Sequence, residues 1–258
     1  MEQTNLIVNA LIREVSHLIK NKRVIFIGEI HGTKEIPSIV TEFLKKIIEI
    51  YDFDLALELP VTLQEDVNKA VLEGDINLLS NSDFFRKVTI SDGRNSQEII
   101  EFMASIYELN KNFNKNINVY CIDSPFSIIR YNQIKEQLSK DISKLLLFEK
   151  DQNKREEQMS EEISKVVRFE KKLFVLIGNL HASKSVLNEI TPTAYLLSKK
   201  QETFSINLKP SSGKFYNSSI KTVKVGSSEK KLFDYTLDIG NVSPCTFLMN
   251  MTGEKPKE

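Results

Sequence analysis

The stretch VIFIGEIHGTKE, Val24 to Glu35, decides the fold: four apolar residues run into Gly28, and Glu29, His31 and Glu35 follow within one short span. A short β-branched run stopped by glycine reads as a buried strand. A second stretch, FVLIGNLHASKS, Phe174 to Ser185, sets Ile177, Gly178, His181 and Lys184 at the same spacing as Ile27, Gly28, His31 and Lys34. Two of the chain's three histidines therefore follow strands in matched local contexts.

Outward from these stretches, short apolar runs alternate with helical patterns. RVIFIG leads into TEFLKKIIEIY, with Phe43, Leu44, Ile47 and Ile48 on one side, and then into DLALEL, closed by Pro60, a βαβ unit. LQEDVNKAVLEG and NSQEIIEFMASIYELN read as helices, the second capped by Asn95 with Glu98 three residues on. NINVYCID and LFVLIG supply a third and a fourth strand. Strands near residues 23–28, 54–59, 117–122 and 173–178 are expected to share one mainly parallel sheet with helices on both faces.

From Ser127 to Lys172 the chain is strongly charged, and its apolar spacing predicts two helices with a break near Lys150 to Asn153 and a solvated charged face. Beyond TPTAYLLSKK it turns β-rich, with PSSG and GSSEK as turns, and antiparallel strands near the C-terminus are expected to extend the sheet. No linker divides the chain, so the expectation is a single α/β domain over residues 1–258 with a charged helical segment at residues 127–172.

Composition bounds the function. The 258 residues are 41% hydrophobic and 27% charged, ordinary for a globular domain. Lysine plus arginine equals aspartate plus glutamate at 35 each, so nothing in the global charge argues for nucleic acid or an anionic membrane as partner. Cys121 and Cys245 offer neither a disulfide framework nor a Cys-x-x-Cys zinc site. The N-terminal stretch from Met1 to Lys22 is an amphipathic pattern without the marks of a secretory signal, and His17 sits in it as a structural or exposed residue. A soluble, cytoplasmic protein with a small-molecule substrate is expected, its oligomeric state open.

In an open parallel sheet, ligands bind beyond the carboxyl ends of the strands. Lined up there, the four strands end in Glu29 and His31, in Glu58, in Asp123, and in His181. Carboxylates so close together repel unless a proton, a cation or a metal intervenes, so histidine or arginine must accompany them. Each residue also has a structural reading: Glu29 and Glu35 as first-turn acids, Asp123 before Ser124 and Pro125 as a turn former, each histidine as a backbone-bonded group.

FIGEIHG, LALELP and LIGNLHA, with SDGRNSQEI and REEQMSEEI, resemble the erythromycin-esterase-like superfamily, which embraces the TraB/Tiki and ChaN-like proteins. The resemblance covers scattered blocks from about residue 23 to 200. It implies an α/β fold whose cleft is built on two Gly-x-x-His elements, with Glu29, His31, Glu58 and His181 at the site. Arg94 is implied as an anion-binding member, with Arg155 beside it. Glu35 and Asp123 complete the candidate substrate-binding set.

Three functions fit these residues. In metal-free hydrolysis of an ester-like bond, His31 activates water and His181 or Arg94 stabilises the oxyanion. In metal-dependent hydrolysis of the Tiki kind, His31, His181, Glu29 and Glu58 hold a divalent ion. In a ChaN-like protein the cleft binds haem or another small ligand. The cofactor is thus none or a divalent metal, and no Gly-x-Ser-x-Gly elbow points to a serine nucleophile.

Overall fold

The computed structural model describes residues 2–86, 92–123, 142–217, 219–224 and 232–248. Helix α1 (Glu2–Val15) precedes β1 (Val24–Glu29), α2 (Glu35–Ile47) and β2 (Phe53–Pro60). A helical run over residues 61–73 contains α3 (Gln64–Asn68) and leads to the short α4 (Ile76–Asn81) and α5 (Asp83–Arg86). Then come α6 (Gln97–Phe113), β3 (Val119–Asp123), α7 (Ile142–Val166), β4 (Lys172–Gly178) and α8 (Thr193–Ser198). Strands β5 (Thr203–Tyr216), β6 (Ile220–Thr222) and β7 (Tyr235–Val242) follow.

The strands form one sheet in the order β3-β2-β4-β1-β5-β6, with β7 on β5. The four strands expected from the sequence are all present and pair in parallel. The two strands of the β1–α2–β2 unit do not pair with each other, because β4 lies between them. That insertion brings the two Gly-x-x-His loops to neighbouring strands. At the C-terminal side only β6 is antiparallel, whereas β5 runs parallel to β1 and β7 parallel to β5. PSSG is not a turn but a bulged part of β5, where the register against β7 shifts at Pro210 and Gly213 takes φ +104°. GSSEK lies outside the described residues.

Burial on both faces explains why the central strands are apolar throughout. Ile25 and Ile27 of β1 and Phe174 and Leu176 of β4 pack with Val8 of α1, Phe43 of α2 and Phe102 of α6. Phe26, Val175 and Ile177 turn to the other face, against Met159 and Ile163 of α7 and Leu197 of α8. Phe174 meets Phe43 and Phe53 edge-on, with ring centroids 5.8 and 5.3 Å apart.

Local details depart from the sequence reading. The segment Lys150 to Asn153 is no break: α7 runs through it, since it has neither glycine nor proline to stop it. Its charges are not all solvated, for Glu156 is fully buried. The expected first helix continues into α7 from Ile142, and its part before residue 142 lies outside the described residues. Ser96, not Asn95, occupies the cap position of α6, because the Asn95 amide is drawn to the Phe84 carbonyl and Glu98 accepts the Thr246 amide. Helix α1 ends at Val15, and His17 beyond it is exposed. No helix among the described residues is long and apolar enough to cross a membrane.

Phe174→Ala should lower the unfolding free energy by about 3–5 kcal/mol, the usual cost of removing a buried phenylalanine. Leu6→Ala, at a side chain 66% exposed, should change it by less than about 0.5 kcal/mol. Urea titrations of both variants measure the difference, and equal losses would mean that this face is not the core.

Candidate active site

The site gathers on Glu58, near the end of β2 and 4% exposed. Its Oε2 accepts the Gly178 amide at 2.7 Å and faces His31 Nε2 at 3.2 Å. Its Oε1 accepts Arg94 at 2.9 Å and Arg155 at 2.5 Å. Burial alone would raise this carboxyl, but the cationic groups around it hold it well below the usual carboxylate range.

Glu29 ends β1, and its Oε1 faces His31 Nδ1 at 2.9 Å. Both ring nitrogens of His31 therefore meet carboxylates. Burial works against the charged ring, yet Glu58 and then Glu29 outweigh it and push His31 up to about 10, so the group is an imidazolium at neutral pH.

Arg94 lies in the loop before α6 and is buried. Its Nε donates to both Asp92 oxygens at 3.0 and 2.9 Å, and one terminal nitrogen donates to the Glu58 carbonyl, Glu58 Oε1 and Asp123 Oδ2. Burial disfavours its charge, but these carboxylates raise Arg94 well above its ordinary value. The loop reaches the site by backbone contact: a Cβ on Gly93, at φ +102°, would lie 2.1 Å from Gly32 Cα. Gly32, at φ +78°, in turn receives the Tyr216 and Cys245 amides on its carbonyl.

Asp123 closes β3 with no exposure and accepts Arg155 at both oxygens, each at 2.8 Å. Arg155 comes from α7 and also points NH1 at His181 Nε2, 3.1 Å away. A guanidinium only donates, so this nitrogen of His181 presents its lone pair. Glu58 Oε1 stands farther from it, at 3.5 Å. On the other side of the ring, His181 Nδ1 and Glu156 Oε1 are 2.5 Å apart. Gly178 leaves room for the meeting: a Cβ there would lie 2.9 Å from His31 Nε2 and 3.3 Å from His181 Cδ2.

Glu29, His31, Glu58, Arg94, Asp123, Arg155 and His181 thus come together. Glu35 does not join them; at the start of α2 it accepts the Ser243 amide at 2.8 Å and ties down the chain after β7. Asp92, Glu156 and Thr193 take part without having been singled out from the sequence. Glu156 carried a signal, an acid three residues before Met159 and seven before Ile163, on the buried stripe of α7.

These residues do not fit a divalent metal. Both His31 nitrogens face carboxylates, His181 Nε2 accepts from a guanidinium, and two guanidiniums sit on the carboxylate that a cation would need. Among the described residues, no group of three or more histidine, cysteine, aspartate or glutamate side chains is arranged to hold an ion. Beside His31 lies a small opening lined by Glu29, Glu58 and Arg94 together with Leu59, Ile99 and Leu176. His181 stands apart from this opening, across Gly178.

The fold is that of several solved structures. A Bacillus cereus protein matches at TM-score 0.61 and 14% identity, over 95% of this chain and 99% of that one. A succinoglycan biosynthesis protein matches at TM-score 0.61 and 12% identity, over 95% and 99%. A mutant of the erythromycin esterase EreC in its open conformation matches at TM-score 0.54 and 10% identity, over 82% of this chain and 78% of that one. The chain therefore has the erythromycin-esterase-like fold that the motifs led one to expect. No protein-family model matches the chain, and no curated protein matches it significantly.

His31 makes stability depend on pH in a defined direction. Its folded value, about 10, lies above the unfolded value of 6.5, so its contribution is complete below pH 6.5 and is lost as pH rises toward 10. The stability difference between the wild type and His31→Gln should shrink across that interval in urea unfolding at several pH values. A difference that grows with pH would contradict the buried imidazolium.

Proposed function

We propose that the chain hydrolyses an ester-like bond without a metal. The observation that carries this reading is the unequal pair of imidazoles on either side of Gly178. His31 is held charged between Glu29 and Glu58, while His181 turns the lone pair of Nε2 toward the Arg155 guanidinium. A ring that can only donate, beside one whose Nε2 accepts from a guanidinium, offers the proton donor and the proton acceptor that acid–base chemistry requires.

This reading reverses the roles expected from the sequence. His31 has no free lone pair and serves as the acid and as an electrostatic partner for the oxyanion. His181 Nε2 takes the proton from water once substrate binding displaces its contact with Arg155. Arg94 and Arg155 are both committed to Glu58 and Asp123 and act by fixing Glu58, so His31, which lines the opening, is the oxyanion partner. The fold shared with an erythromycin esterase supports a hydrolase of this kind, and the substrate itself is set by side chains that the fold does not dictate.

The test is a panel of ester, lactone and amide substrates with and without chelator, followed by His181→Ala, His31→Ala and His17→Ala on whichever substrate turns over. The first two should lose on the order of a hundredfold or more in kcat, and the third should lose nothing measurable. Each melting temperature is taken alongside. Activity that chelator removes and a divalent ion restores would sink the metal-free mechanism. Full turnover by folded His181→Ala would remove that residue as the base.

A further inference from the structure

We propose that Glu156 and Thr193 form a positioning pair that fixes the tautomer of His181, with the ring proton on Nδ1 and the Nε2 lone pair facing Arg155. The proposal rests on the hydrolytic reading of the site and deepens it by saying what keeps the base correctly protonated.

Glu156 is fully buried, as is Thr193 at the first residue of α8. The carboxylate divides its two oxygens between two tasks: Oε1 meets His181 Nδ1, and Oε2 accepts the Thr193 amide at 2.8 Å and the Thr193 hydroxyl at 2.7 Å. One turn earlier on α7, Asn153 Oδ1 accepts the Thr191 amide at 2.8 Å. Pro192 between them has no amide to offer, so α7 satisfies both free donors of the sequence Thr191-Pro192-Thr193. The Ala194 amide then donates to the His181 carbonyl at 3.0 Å, so the segment that orients the ring also holds its backbone.

The donors leave one arrangement. A backbone amide cannot accept, so Thr193 requires an acceptor in Glu156, and Arg155 requires an acceptor in His181 Nε2. The remaining ring nitrogen, Nδ1, must then carry the proton, and the second oxygen of Glu156 receives it.

Glu156→Gln tests this arrangement at nearly constant shape. A glutamine has one acceptor, which the fixed Thr193 amide claims, and its NH2 group then faces His181 Nδ1 as a donor. The ring proton must move to Nε2, where it opposes Arg155. Nitrogen-15 spectra of histidine-labelled protein read the tautomer directly, and with three histidines in the chain the His17→Ala and His31→Ala variants assign the signals.

The wild type should show His181 protonated on Nδ1, and Glu156→Gln should show it on Nε2, with kcat reduced on the order of a hundredfold and KM nearly unchanged. Glu156→Asp, which keeps two acceptors, should retain the Nδ1 tautomer and recover part of the rate. An Nε2 tautomer in the wild type overturns the proposal even if Glu156→Gln does not fold. An unchanged tautomer in folded Glu156→Gln overturns it as well. A tautomer that switches as expected in a protein that hydrolyses nothing on the panel upholds the positioning pair and removes the hydrolytic reading instead.

Discussion

Glu58 is a buried negative charge that four donors neutralise, and each donor comes from a different part of the chain. The Gly178 amide arrives from β4, His31 from the loop after β1, Arg94 from the loop before α6, and Arg155 from α7. Removing water from such a group costs several kcal/mol, which is recovered only when its partners are placed well. The strand order makes that placement possible. With β4 between β1 and β2, the ends of three adjacent strands present Glu29, Gly178 and Glu58 side by side, and β3 adds Asp123 next to β2.

Such an arrangement is poor value as a source of stability. Well-packed apolar residues in the same volume do as well or better, while loss of a single partner leaves a buried charge exposed to about 3–5 kcal/mol of penalty. The rest of the protein shows how easily this chain builds an apolar core, from Val8 in α1 to Val242 in β7. Charged groups concentrated at one end of an otherwise apolar sheet therefore add little to the stability of the fold.

The sheet and most of the site were legible in the sequence because their signals are local. A run such as VIFIG announces a strand within five residues, and the acids and histidines just beyond it announce the strand's end. What could not be read depends on distant pairings. That β4 enters between β1 and β2 is a matter of which strands pair, and no single stretch encodes it. The parallel course of β5 and β7 was hidden for the same reason, since PSSG has turn composition whether it turns or bulges. Glu156 was overlooked because one buried acid in a charged helix differs from its solvated neighbours only by its phase relative to Met159 and Ile163.

The two histidine loops begin from the same local pattern and end in different surroundings, and the sequence contains the reason. Two residues before His31 stands Glu29, so that loop brings its own carboxylate to Nδ1. Two residues before His181 stands Asn179, whose amide instead donates from its backbone to the Glu29 carbonyl and fastens the two loops together. His181 must therefore obtain its carboxylate from elsewhere, and α7 supplies Glu156 together with the adjacent Arg155. Glu58 then makes the difference decisive: its Oε2 sits against His31, while its Oε1 is taken by the two arginines and stands away from His181. One imidazole is enclosed by negative charge on both nitrogens, and the other lies between a carboxylate and a guanidinium. A repeated motif thus acquires two different surroundings through glutamate at one position, asparagine at its counterpart, and the helix that compensates for it.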